Sequence, residues 1–441
     1  MELGIVGAGI TGLTAAYELG KAGHKVVLFE KDEQPGGLSA TFRDERWEWP
    51  LEKFYHHLFE SDHSVLSLSR ELGLGDKIVF PRPITAIWQK GTVNAFDSPA
   101  AVLRYPYLTF VDKMRIGLVT LYLRLTKNWQ PMERATAHEW LPRYLGARAY
   151  KVLWEPLLAN KMGAHYKQVN MAWFWARIHK RSFRLGYYVG GYQTLLDALA
   201  EQVHRQGAAL HLGALVTEVG GCARESASAS GESGRICLRA GGHVYGFDAV
   251  LVTTSPQVML GLATSLPPAY LEQLGALRSL GGVALVLALN RPMTKGFYWI
   301  NLPQGQFPFL AFVEHTNYQS PVHYGGDHIV YLGDYPEAGA PHMTMSKEEL
   351  LHEFLPHLTS FNPSFDPSWV RKTWLFREEY AQPVPPVNYS KQIPSIRTPL
   401  SRLYFASMSQ VYPWDRGSNY AVEMGETLAR MVQEDWVVRP T

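Results

Sequence analysis

The chain has 441 residues, 46% hydrophobic and 19% charged, a composition ordinary for a globular protein of two or three domains. A formal net charge of +2 argues against an electrostatic nucleic-acid binder, so nucleic acid is not an expected partner. Two cysteines, Cys222 and Cys237, are too few for a disulfide framework or a zinc cluster, so a reducing, cytoplasmic setting and no metal site are expected.

The chain opens as strand, helix, strand: Leu3–Val6, Ile10–Ala22 and Lys25–Phe29, with Gly23 where a helix C-terminal cap belongs. This βαβ pattern implies a parallel sheet. A strand beginning at residue 3 leaves no room for a secretory leader, and no run of about eighteen apolar residues suggests a transmembrane helix. Between the first strand and the helix lies Gly7-Ala8-Gly9-Ile10-Thr11-Gly12. The first glycine makes a tight turn, the second lets a pyrophosphate approach the backbone, and the third lets the helix pack on the strand. The helix N-terminus then faces the phosphates, so Gly7, Gly9, Ile10, Thr11 and Gly12 are expected cofactor contacts. Glu30 stands at the end of the second strand, where a carboxylate accepts hydrogen bonds from an adenosine ribose and repels a 2′-phosphate.

Downstream, residues 44–184 read as helical and rich in Trp, Tyr, Arg and Pro, and residues 220–234 as a flexible hairpin tip. Leu195–Arg205 reads as a helix, Ala209–Val219 as a strand region, and Asp248–Thr254 and Gly282–Leu289 as strands. Lys347–Leu355 reads as a helix, Leu403–Ala406 as a strand and Tyr420–Val432 as a terminal helix. The pattern predicts an α/β protein: a Rossmann-type dinucleotide-binding domain in three segments, 1–80, 185–260 and 396–441, with an inserted mixed α+β substrate domain from 81–184 and 261–395.

The run Glu30-Lys31-Asp32-Glu33-Gln34-Pro35-Gly36-Gly37-Leu38-Ser39-Ala40-Thr41 resembles the FAD-dependent amine oxidase superfamily, which includes protoporphyrinogen oxidases, phytoene-type desaturases and monoamine oxidases. The resemblance implies non-covalent FAD, with Gly36, Gly37, Lys31 and Leu38 near the pyrophosphate and ribityl chain. It also implies that Val216 in Leu215–Val219 contacts the adenine, that Gly190-Gly191 forms the turn before a helix, and that Phe247–Pro256 ends near the domain junction. Near the C-terminus, Ser407-Met408 stands where the superfamily has Gly-Asp, and Gly417, Ser418, Asn419 and Tyr420 begin a helix facing the flavin. The positive end of that helix would stabilise a reduced, anionic flavin.

On the substrate side, His56 and His57 follow Tyr55 in a stretch expected near the flavin, and paired histidines can move a proton near neutral pH. The same stretch resembles UDP-galactopyranose mutase, a flavoenzyme without net redox. Arg416, Tyr412 and Trp414 precede the terminal helix and are expected at the substrate, with Arg416 suited to an anionic group. Trp173, Trp175 and Arg177 read as core, and Tyr380–Pro383 resembles a substrate-domain turn of protoporphyrinogen oxidases. The strand Gly281–Leu287 lacks the lysine that the resemblance to monoamine oxidases would require, which speaks against amine oxidation. Arg104–Leu125 mixes apolar and basic residues, a pattern suited to a membrane surface, though packing inside the substrate domain is the simpler reading.

The expected function is an FAD-dependent oxidoreductase that takes a hydride from a small organic molecule. With one dinucleotide fingerprint in the chain, oxygen or a quinone is the expected electron acceptor. A mutase acting on a nucleotide sugar and a non-catalytic flavin-binding protein are the alternatives. The sequence is silent on oligomeric state.

Overall fold

The computed structural model describes residues 1–222 and 235–437; most of the expected hairpin tip, residues 223–234, lies outside the described residues. Five strands form a parallel sheet in the order Ala209–His211, Lys25–Phe29, Glu2–Val6, Ala249–Val252, Leu403–Phe405. Its strands come from the start, middle and end of the chain, and they are apolar because both faces are covered. Leu3, Ile5, Leu28 and Leu251 face the helices Ile10–Lys21, Gln193–Arg205 and Ser418–Val437. Val6, Phe29, Val250 and Val252 face the antiparallel strands Val216–Gly221, Ile236–Ala240 and His243–Phe247. The two-residue alternation of a strand thus splits one sheet between two cores.

A second, seven-stranded sheet runs in the order Val370–Pro383, Ser279–Leu289, His328–Asp334, Ala311–Glu314, Phe297–Asn301, Ile84–Gln89, Thr92–Ala95. Its pairings are antiparallel except that of Phe297–Asn301 with Ile84–Gln89. Ile84–Gln89 and Thr92–Ala95 correct the helical reading of residues 44–184. They form a hairpin through Lys90 and Gly91, both at positive φ (50° and 80°), which matches the handedness of the adjoining strands. Helices do follow, from Pro99–Arg104 through Met171–Lys180, around a core of their own.

The helix Phe110–Leu125 corrects a second expectation. A capping box between Thr109 and Asp112 fixes its start, but it buries only Asp112, Ile116 and Leu123. Phe110, Leu118 and Leu125 stand exposed, so the helix is not packed inside the domain. Cys222 and Cys237, from which a reducing setting was expected, are joined in a disulfide, because pairing of Val216–Gly221 with Ile236–Ala240 sets Gly220 opposite Cys237 and brings Cys222 alongside.

An ionic knot fastens the segment after the second glycine pair to the seven-stranded sheet. Arg371 Nε donates to Asp327 Oδ1 at 2.8 Å, and Arg371 Nη2 lies 3.2 Å from Asp44 Oδ1. Lys372 Nζ donates to Asp44 Oδ2 at 2.7 Å and Trp47 Nε1 to Asp327 Oδ2 at 2.8 Å. Both carboxylates are buried, so removing the guanidinium strands charge away from water. Arg371→Met is expected to lower the unfolding free energy by about 3 kcal/mol, read as a fall in thermal midpoint relative to wild type.

Candidate active site

A cavity of about 1440 Å³ runs from the carboxyl edge of the parallel sheet to the helical layer. Its first end is the glycine loop. Gly7 sits at φ 100° and donates to Phe29 O at 2.8 Å, which makes the sharp turn out of the strand. A Cβ on Gly12 would meet Gly7 O at 2.0 Å, so that glycine is required by packing of helix on loop. Gly9 differs: its φ of −71° suits any residue, and a Cβ there would meet nothing nearer than Gly37 Cα at 4.0 Å. Its side-chain space belongs to the cavity. Gly9 caps Ile10–Lys21 without a side-chain hydrogen bond, so the first-turn amides are left for a ligand. Glu30 Oε2 accepts from Ala8 N at 2.8 Å and Oε1 from Asp32 N at 3.1 Å, which holds the carboxylate at the cavity wall. Leu215, Val216 and Lys31 line the same end.

In the middle, Gly36 N donates to Ala8 O at 2.9 Å, drawing the second glycine pair against the first. Gly36, Gly37, Leu38, Tyr55, His56 and His57 line this stretch, and Ser407, Gly417, Ser418, Asn419 and Tyr420 line it as well. Asn419 Oδ1 accepts from Ser64 N (2.9 Å) and Val65 N (3.2 Å), so its oxygen is spent capping the helix His63–Glu71. The histidines, expected to move a proton near neutral pH, have their proton affinity lowered by burial. Burial, opposed by the Phe54 carbonyl and aided by Arg416, pushes His56 down to about 4. Burial with Arg181 nearby pushes His57 down to about 3. Both rings are neutral at pH 7. His56 Nδ1 lies 2.6 Å from Phe54 O, a contact that requires the proton on Nδ1 and leaves Nε2 as an acceptor, 3.5 Å from Ser39 Oγ.

The far chamber holds a cluster that sequence reasoning assembled only in part. Arg416 Nε donates to Gln382 Oε1 at 3.1 Å and Arg416 Nη2 to the Tyr335 hydroxyl. Asp415 pairs with Arg177 and accepts from Trp173 Nε1 at 3.2 Å. Burial would raise Asp415, but Arg177, Lys161 and Arg416 hold it well below the usual carboxylate range. Lys161 Nζ lies 5.1 Å from the Tyr335 ring centroid; burial, with Arg177 beside it, presses its amine well below the ordinary lysine range. Arg177, read as core, lines the cavity with Trp173, and Lys161 went unnoticed because no local motif marks it. The i, i+4 spacing of Trp173 and Arg177 was the available signal, since it puts both on one helix face. Tyr412 and Trp414 do not line this cavity. Tyr412 OH donates to Glu133 Oε2 at 3.2 Å and its ring packs on Trp129 and Tyr389; Trp414 stacks between Trp175 and Tyr420.

A glycine-loop parallel sheet opening into a chamber beside a second, mixed sheet is an α/β arrangement of the flavoprotein type. The chain matches the family of flavin containing amine oxidoreductases over residues 10–432 and belongs to that family of FAD-dependent oxidoreductases. It is 29% identical over 160 residues to the 15-cis-phytoene desaturase of Synechococcus elongatus, a match covering 32% of this chain and 33% of that one. The match thus spans about a third of the length of that curated relative. In fold it is similar to a protein assigned as a protoporphyrinogen oxidase from Exiguobacterium sp. 255-15 (TM-score 0.77, 19% identity, 98% of this chain and 99% of that one). A similar likeness holds for a reduced UDP-galactopyranose mutase (TM-score 0.74, 16% identity, 98% and 95%).

The residues present fit FAD: open space at Gly9, the first-turn amides of Ile10–Lys21 left without a side-chain cap, and a fixed carboxylate at Glu30 suit a pyrophosphate and a ribose, and the start of Ser418–Val437 lines the middle of the same cavity. Gly9→Val is expected to give a folded but colourless protein, because the side chain would fill phosphate space without a clash in the protein. Glu30→Ala is expected to weaken FAD binding by about 1–3 kcal/mol, measured as a dissociation constant by fluorescence titration.

Proposed function

We propose that this chain oxidises a small organic molecule at a C–H bond next to a heteroatom or a double bond, and that the electrons pass on to oxygen or a quinone. The reading is carried by one observation: the glycine cradle and the Lys161–Arg177–Arg416 chamber are two ends of one cavity. In this reading Gly7, Gly9, Ile10 and Thr11 hold the pyrophosphate, Glu30 the ribose, Val216 the adenine, and Gly36, Gly37, Leu38 and Ser407 the ribityl side. The start of Ser418–Val437 faces the flavin pyrimidine. FAD is held without a covalent link and, when bound, supplies the hydride acceptor.

The protein's own groups do the rest. Asp415 fixes Arg177, and Gln382 with Tyr335 fixes Arg416, so both guanidinium groups are oriented before a substrate arrives. Tyr55, whose hydroxyl sits beside Tyr335, walls the same chamber. Lys161, whose proton affinity burial and the neighbouring Arg177 lower, is the group proposed to take the proton that leaves the substrate as the hydride departs. His56 and His57, neutral and buried, shape the flavin side and exchange no proton near pH 7.

An anaerobic screen of amines, cyclic alkenes and reduced rings should find a donor that bleaches the flavin; turnover of a nucleotide sugar only after pre-reduction, with no donor found, would replace this reading by the mutase one. With such a donor, Lys161→Met should lower kcat/KM by about a hundredfold and leave the flavin absorbance intact. The wild-type profile should rise with pH as the amine loses its proton. The variant should lack that limb; an unchanged profile would remove Lys161 from the reaction.

A further inference from the structure

The cavity opens on one side through the helix Phe110–Leu125 and the residues beside it. Phe110, Val111, Met114, Leu118, Leu121, Tyr122 and Leu125 are each 48–72% exposed. Their spacing returns every three or four residues, so they share one helical face. Leu103 and Phe183 extend the patch. Among the described residues, eight of the nineteen exposed large apolar side chains fall between residues 103 and 125. A contiguous surface of this kind marks an interaction site. Met114, Leu118, Leu121, Leu103 and Phe183 also line the cavity, so the apolar face is the rim of its mouth.

Charge selects the partner. Between residues 99 and 128 the chain carries Arg104, Lys113, Arg115, Arg124 and Lys127 against one acid, Asp112. That acid is buried, bonded to Thr109 and paired with Arg148, so it faces no partner. Arg82 and Arg124 lie over the Phe183 ring, at 5.8 and 5.6 Å. Beside the helix, Tyr122 stacks on Trp140 and Trp140 packs on Tyr144, an aromatic group suited to a headgroup boundary. A second copy of this chain would set the same cations against themselves. A surface with negative headgroups over hydrocarbon complements both the charge and the apolar row. Among the described residues no helix is long and apolar enough to cross a membrane, so the contact is one of lying on the surface.

We propose that this face docks on an anionic phospholipid bilayer, with the helix in the interfacial plane and the cavity opening toward lipid. If the site oxidises a small molecule as proposed above, its substrate class is then an apolar molecule dissolved in the membrane; that delivery role rests on the oxidoreductase reading, whereas the docking does not.

The test is flotation of the FAD-loaded full chain with phosphatidylcholine vesicles, with and without phosphatidylglycerol. The wild type should float with the anionic vesicles, less so at high salt. The double variant Phe110→Asp/Leu125→Asp, at two positions outside the cavity, should lower the bound fraction by about tenfold or more with flavin absorbance per protein unchanged. Arg115→Glu/Lys127→Glu should lower binding to anionic vesicles while leaving the apolar row in place. Wild type that stays with neither vesicle, or an aspartate variant that binds as well as wild type, would overturn the proposal. So would a wild-type dimer that ignores vesicles and becomes monomeric in the aspartate variant, because the face would then pair with a second copy. Failure of the oxidoreductase reading shows separately, as a flavin that no donor bleaches, and leaves flotation unaffected.

Discussion

The structure depends on how closely backbones approach at the end of the central strand. Thr253 Oγ1 donates to Val6 O (3.0 Å) and Gly7 O (3.1 Å), and Gly36 N donates to Ala8 O, so three distant segments converge on one turn. A side chain on Gly12 cannot coexist with Gly7 O, and one on Gly425 would lie 2.7 Å from Thr11 O. Close packing there brings Ile10–Lys21 against both its own strand and Ser418–Val437. The two helix starts are thereby aimed into a single cavity, one at the glycine loop and one at its middle. The positions of Glu30, the second glycine pair and the terminal helix all follow from that packing.

The cavity changes character along its length. At the sheet it offers amides and one carboxylate, and in the middle it offers neutral histidines and glycine backbone. The chamber beyond holds Arg177, Arg416 and Lys161 around one acid, and there desolvation and mutual repulsion decide which group carries charge. Asp415 stays ionised chiefly because Arg177 pairs with it, while burial, with Arg177 next, lowers the proton affinity of Lys161. At the mouth Met114, Leu118 and Leu121 supply apolar wall, with Lys113 and Arg124 beside them.

The parallel sheet was legible in the sequence because its signals are local. Strand, glycine spacing, helix and Glu30 fall within thirty residues, and Leu403–Phe405 is marked by its own apolar run. The seven-stranded sheet was less legible. Ile84–Gln89 pairs with Phe297–Asn301 across more than two hundred residues, and the Trp-bearing helices that follow masked the short alternation around Lys90-Gly91. The chamber was least legible. Lys161, Arg177 and Tyr335 meet only through tertiary packing, whereas Tyr412 and Trp414, near Arg416 in sequence, turn away to Glu133 and Trp175. The histidines were found in place, but their charge depends on burial, which a pair of letters does not reveal. Exposure of Phe110–Leu125 was likewise undecidable from its pattern, because an amphipathic stripe fits a core and a membrane equally.

The central claim is that the Gly7–Gly12 loop, Glu30 and the Gly36-Gly37 pair hold FAD without a covalent bond. The most direct measurement is a visible spectrum of the purified protein before and after acid precipitation. The account predicts flavin absorbance in the native protein and its full release into the supernatant. A colourless protein that also takes up no added FAD would contradict it, and colour that stays with the precipitate would contradict the non-covalent link.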